Sequence, residues 1–159
     1  MVLKNKILRF ILVFIFLFET ESFATEKIIE TNYFASLRSS ETNIRSGPGQ
    51  NYPIKFTFKI KAIPMKVISE YDNWNEVRDY QGQTGWVSQN LLTKKRTLMV
   101  RISEPSINMY NKSSIKSKII FKLENNVIGD YLGCSDNWCE IKINGKKGWV
   151  EKSHLWGAD

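Results

Sequence analysis

Hydrophobic positions fall into two regimes along the chain. Phe10 to Phe18 (FILVFIFLF) run apolar without interruption. After residue 30 no segment holds a 3.6-residue apolar period, so no amphipathic helix is predicted there. Short strand-like runs appear instead: Lys66-Val67-Ile68, Trp74 to Arg78, Asp130-Tyr131-Leu132 and Trp138 to Ile143. Gly, Pro and Asn/Asp clusters separate them at roughly the 8–12-residue spacing of a small barrel or sandwich. Asn144-Gly145 reads as a two-residue hairpin turn, because both residues tolerate positive φ. Trp86, Trp149, Phe56, Phe58, Val77 and Ile141 are the expected core.

The pattern then repeats. Asp72-Asn73-Trp74 returns as Asp136-Asn137-Trp138, and Gly85-Trp86-Val87 as Gly148-Trp149-Val150. Glu76 matches Glu140, Gly82 matches Gly145 and Leu92 matches Leu155, with one single-residue gap at the hairpin tip. Two modules follow, 33–93 and 97–156. Thr93-Lys94-Lys95-Arg96-Thr97 is a short basic joint between them, read as a solvated linker or a weak contact with an anionic membrane surface.

The first 24 residues read as an address. Lys4, Lys6 and Arg9 precede the apolar run, and Ser22-Phe23-Ala24 offers small residues for a cut after Ala24. The run is too short for a membrane span, which needs about 20 residues. A signal peptide over 1–24 is expected, with an uncleaved anchor as the other reading. Export places the chain in the periplasm or cell envelope. The full chain has a net charge of +7, and the +6 left after cleavage meets envelope anions and wall carboxylates, so no nucleic-acid partner is expected.

Two Cys and one His in 159 residues leave no ligand set for a structural zinc. Cys134 and Cys139 enclose Ser135-Asp136-Asn137-Trp138. A turn at Asp136-Asn137 sets the two Cys opposite each other in a non-hydrogen-bonded pair, within reach of a disulfide. A redox pair is the rival reading, but such pairs favour Cys-x-x-Cys at a helix start. No nucleophile and base pair can be assembled around His154, so no catalytic residue, metal or cofactor is expected.

Asn43-Ile44-Arg45-Ser46-Gly47-Pro48-Gly49, Tyr52-Pro53, Trp74 and Gly85-Trp86-Val87 together resemble the bacterial Src-homology-3-like domain. The second module resembles a degraded copy, with Tyr110 in place of Arg45 and Lys112-Ser113-Ser114 in place of Gly-Pro-Gly. The tandem with its Cys pair is similar to a group of exported alphaproteobacterial proteins. The resemblance implies an all-β fold of two five-stranded Src-homology-3-like barrels and a non-enzymatic binding role. In the eukaryotic branch, two residues of the Gly-x-x-Gly-Tyr run stack on polyproline. Here Ser88 and Leu91 occupy those positions, and Glu151 and His154 in the second copy, so proline-rich ligands are not expected.

Arg45, Tyr52, Trp74 and Trp86 are the candidate ligand-binding residues. Arg45 reads either as a loop anchor or as a guanidinium fork for a carboxylate. Tyr52 either packs on its loop or lines the same groove. Val77 lies three residues past Trp74, so if Val77 is core then Trp74 faces outward. Trp74 is then a contact surface, a lid or part of a module interface. The leading expectation is a module that recognises a cell-wall peptide or an envelope protein segment. An assembly scaffold is the alternative, and a wall-turnover enzyme a remote third.

Overall fold

The computed structural model describes residues 27–158, so the predicted signal peptide lies outside the described residues. Fourteen strands and two short 3-10 turns make up the described chain, with no α-helix among them. The first half holds β1 (Ile29–Leu37), β2 (Thr42–Arg45), β3 (Ile54–Phe58), β4 (Pro64–Tyr71), β5 (Trp74–Arg78), β6 (Thr84–Ser88) and β7 (Leu92–Thr93). The second holds β8 (Thr97–Val100), β9 (Ile107–Tyr110), β10 (Ile119–Leu123), β11 (Ile128–Ser135), β12 (Trp138–Ile143), β13 (Lys146–Glu151) and β14 (Leu155–Trp156). The 3-10 turns are Gln89–Leu91 and Lys152–His154.

The two sheets repeat one topology, β3-β2-β6-β5-β4-β1-β7 and β10-β9-β13-β12-β11-β8-β14. The all-β tandem fold expected from the sequence is therefore present. Each sheet has seven strands and not five. The extra pair, β2–β3 or β9–β10, forms the two arms of the long excursion between the first strand and β4 or β11. Asn144 and Gly145 have φ of 49° and 80°, as the predicted turn between β12 and β13 requires.

Strand alternation decides which side chains enter the cores. Ile44, Met65, Val67, Val77 and Val87 fill the first, and Met109, Ile141, Ile143 and Val150 the second. Val77 and Ile141 are buried as predicted. Trp86 is buried as predicted but stands outside the aliphatic cluster, and Trp149 belongs to neither core cluster. Each precedes an inward valine, Val87 or Val150, so the pleat turns the indole to the outer face. Trp86 is nevertheless only 8% exposed, and Trp149 is half-buried. Phe56 and Phe58 lie at the edge of the first core, edge-to-face with ring centroids 5.5 Å apart.

The basic joint is solvated only in its first half: Lys94 and Lys95 are exposed, while Arg96 and Thr97 form a structural seam. Arg96 stacks on Tyr131 at 4.2 Å, stands 5.8 Å from the Phe34 ring, and donates Nη2 to the Gly157 carbonyl at 2.6 Å. Lys95 is paired with Asp130 at 2.8 Å. Thr97 is buried; it accepts from the Ser36 hydroxyl at 2.7 Å and donates to the Ala62 carbonyl at 2.6 Å. Trp156 packs edge-on against Phe34 at 5.2 Å and donates Nε1 to the Pro64 carbonyl at 2.8 Å. Met99 from the second half lies within the first core, and Ile128 and Trp156 pack on it. The same kind of forces that hold each barrel thus hold the two together.

Candidate functional site

A cleft of about 370 Å³ opens between β2 with its following loop on one side and Trp74 and the first 3-10 turn on the other. It is lined by Glu41, Asn43, Arg45, Gln50, Trp74, Ser88, Asn90 and Leu91. Each side chain reaches it for a local reason. Ile44 points into the core, so its neighbours Asn43 and Arg45 point out. Asn75 and Val77 point in, so Trp74 points out. The 3-10 turn is pinned to the Asp72–Asn73 hairpin tip by Gln89 N–H donating to the Asn73 carbonyl at 2.8 Å.

Arg45 is held from behind. Its Nη1 donates to the Tyr52 carbonyl at 2.8 Å, and Ser46 N–H donates to the Pro53 carbonyl at 3.0 Å. Tyr52 lays its ring across the loop, and a Cβ at Gly47 would clash with that ring, 2.4 Å from its Cδ1 and Cε1. The Gly-Pro-Gly sequence thus makes room for Tyr52, and the loop so packed orients Arg45. Asn43 accepts from the Thr57 hydroxyl at 2.7 Å, which fixes its amide.

Of the four predicted residues, Arg45 and Trp74 share the cleft. Tyr52 is 46% exposed and does not line it, and Trp86 is the buried cross-strand partner of Arg45. Sequence reading missed Glu41, Gln50 and Asn90. None belongs to the repeated motif, and only the loop geometry brings them to Arg45.

The second barrel keeps the cleft and changes its chemistry. A space of about 420 Å³ is lined by Asn137, Trp138, Glu151, Lys152 and Ser153. Lys152 N–H donates to the Asn137 carbonyl at 2.8 Å, matching the pin in the first barrel. Tyr110, in the place of Arg45, packs edge-on to Trp138 at 5.8 Å. His154 Nδ1 stands 3.8 Å from a Glu151 oxygen.

The two barrels also close the same hairpin differently. Cys134 and Cys139 face each other in register with Cα atoms 4.0 Å apart and are disulfide-bonded. The matching pair in the first barrel is Glu70 and Asn75. There Tyr33 bridges them, donating to Glu70 Oε1 at 2.7 Å and accepting from Asn75 Nδ2 at 3.2 Å. Burial, then the hydrogen bond and charge of Glu70, push the Tyr33 hydroxyl up to about 12 from 10.0. The unfolded chain therefore releases this proton first. Its contribution to stability is complete below pH 10 and is lost between pH 10 and about 12. Over that window the melting temperature of the wild type should fall more than that of Tyr33→Phe. Parallel curves in a thermal melt series would show that Tyr33 carries no such linkage.

Among the described residues no helix is long and apolar enough to cross a membrane, and no cluster of His, Cys, Asp and Glu could hold a metal ion.

A family model described as the bacterial SH3 domain matches residues 38–94 and again 103–157. The Bacillus subtilis (strain 168) protein YrvJ, whose name describes an N-acetylmuramoyl-L-alanine amidase, is 23% identical over 156 residues, or 92% of this chain. The chain spans 30% of that relative's length. Two solved structures are similar at low overlap. An NlpC/P60 family protein from Bacillus cereus ATCC 10987 shares 13% identity over 77% of this chain and 55% of its own, with a TM-score of 0.35. NlpC2 from Trichomonas vaginalis shares 16% over 80% of this chain and 49% of its own, with a TM-score of 0.36.

Proposed function

Because the chain belongs to the bacterial SH3 domain family in both of its halves, we propose that it is an exported, non-catalytic binding module of the cell envelope. Its first cleft takes a carboxylate-bearing peptide of the wall. The observation that carries this reading is the convergence of Arg45 and Trp74 on one cleft. A guanidinium already fixed by a backbone carbonyl presents its remaining donors at little further entropic cost. An indole beside it offers a flat apolar wall. Glu41 lines the same cleft, so a peptide carrying both a carboxylate and a free amine fits better than a bare anion. The amidase name of the Bacillus subtilis relative supports a wall ligand.

The non-catalytic part of the proposal is supported by the chemistry of the second barrel. Cys139 is bonded to Cys134, and His154 stands against Glu151. Neither is arranged as a nucleophile with its base.

Sedimentation with purified cell wall tests the proposal. Arg45→Ala should weaken binding about tenfold, the worth of a charge-assisted hydrogen bond. Trp74→Ala should weaken it about thirtyfold, as for an aromatic anchor. Tyr110→Ala should stay near wild type. If the wild type does not pellet with wall, wall recognition is wrong. Recovery of one envelope protein at stoichiometric yield by crosslinking would then favour the scaffold reading.

A further inference from the structure

The loop between β9 and β10 has a chemistry that wall-peptide recognition does not use. Between Glu104 and Glu124 the chain has no acidic residue, yet it has Lys112, Lys116, Lys118 and Lys122. All four are exposed. Among them stand Ile115, 64% exposed, and Ile119, 47% exposed. Lys146 joins them from β13, placed 5.3 Å over the Phe121 ring. The matching loop of the first barrel, residues 46–53, has no charged residue at all.

This loop is internally braced. Asn111 N–H donates to the Lys118 carbonyl at 2.9 Å, and Ser117 N–H to the Ser114 carbonyl at 3.0 Å. The Ser117 hydroxyl contacts the carbonyls of Ser114 and Lys112 at 2.8 and 3.2 Å. Ile115 is thus held outward by a hydrogen-bonded serine frame, and its exposure is a property of the folded loop.

We propose that residues 111–119, with Lys122 and Lys146 beside them, dock on an anionic phospholipid surface. Charge complementarity argues for that occupant: five lysines flank an apolar tip with no acidic residue in the loop. Ammonium groups meet lipid phosphates while Ile115 enters the boundary between headgroups and acyl chains. The weak membrane contact that is one of two readings of Lys94-Lys95-Arg96 falls to this loop instead. Arg96 is stacked in the seam, and Lys95 is paired with Asp130.

Vesicle sedimentation with residues 25–159 tests this. That piece holds every described strand and leaves out the apolar N-terminal run. Vesicles of phosphatidylglycerol with phosphatidylcholine are compared with phosphatidylcholine alone. Binding should need the anionic lipid and weaken with added salt. Each lysine contributes about fivefold near such a surface, so Lys112→Gln, Lys116→Gln and Lys118→Gln together should weaken binding about 100-fold. Ile115→Ser should weaken it about tenfold. Lys94→Gln with Lys95→Gln should leave it within about twofold, because those residues lie outside the tip. Equal binding to both vesicles, or to neither, overturns the proposal. So does an Ile115→Ser protein that binds like wild type, since the lysines would then act as diffuse charge. Capture of the loop by purified wall polymer without vesicle binding also overturns it.

Discussion

Trp156→Ala is expected to cost about 3 kcal/mol and to split one unfolding transition into two. Truncating a large aromatic removes buried area and leaves a cavity, worth about 3–5 kcal/mol when the ring is fully buried. Trp156 is half-buried, which argues for the lower end. Its Nε1 bond to the Pro64 carbonyl and its edge contact with Phe34 are lost as well. Both cross between the barrels, so the loss falls on their coupling. Calorimetry of the wild type should show one cooperative transition. The variant should show two, the first barrel melting earlier because its core loses the cover of Trp156. A single transition shifted by less than about 1 kcal/mol would mean the seam does not depend on this residue.

Gly85→Ala should be nearly as damaging, and for a reason specific to the Gly-Trp-Val repeat. A Cβ on Gly85 would lie 2.5 Å from Ile44 Cγ2 and 2.8 Å from the Arg45 carbonyl oxygen. The second contact is backbone, so β6 and β2 must part where Trp86 pairs with Arg45. Overpacking of this kind costs about 1–3 kcal/mol, and the displaced residue is the one that lines the cleft. Gly148→Ala makes the equivalent clash with Met109 Cε at 2.5 Å and the Tyr110 carbonyl at 2.8 Å. Both variants should therefore lose stability in thermal melts, but only Gly85→Ala should also lose wall binding. If Gly85→Ala melts like wild type, strand approach at this glycine is not limiting.

How much was legible in the sequence follows from what repeats. The Asp-Asn-Trp and Gly-Trp-Val echoes located both barrels and both hairpins, because turn chemistry and the two-residue period are local. The disulfide was legible for the same reason: a turn at Asp136-Asn137 sets the register of Cys134 and Cys139. Alternation correctly turned Trp74 outward from Val77. Ring size pointed to burial for Trp86 and Trp149, and Trp86 is buried, but the adjacent valines take the inward positions of both strands and Trp149 is left half-buried.

What stayed hidden depends on residues far apart in the chain. Phe34, Arg96, Thr97, Tyr131 and Trp156 carry no common motif, and only the folded chain stacks them. A basic pentapeptide therefore read as solvent-facing when its arginine is sandwiched by rings. The Tyr33 bridge to Glu70 and Asn75 is hidden likewise, since its members lie 37 and 42 residues apart.

The seam makes the molecule a ruler. With Arg96, Thr97 and Trp156 locking the two halves, the clefts at Trp74 and Trp138 keep a set separation and angle. Whatever seats at Trp74 is then held at one distance and one angle from the face of the second barrel, and the pair turns as a single lever instead of as two beads on a string.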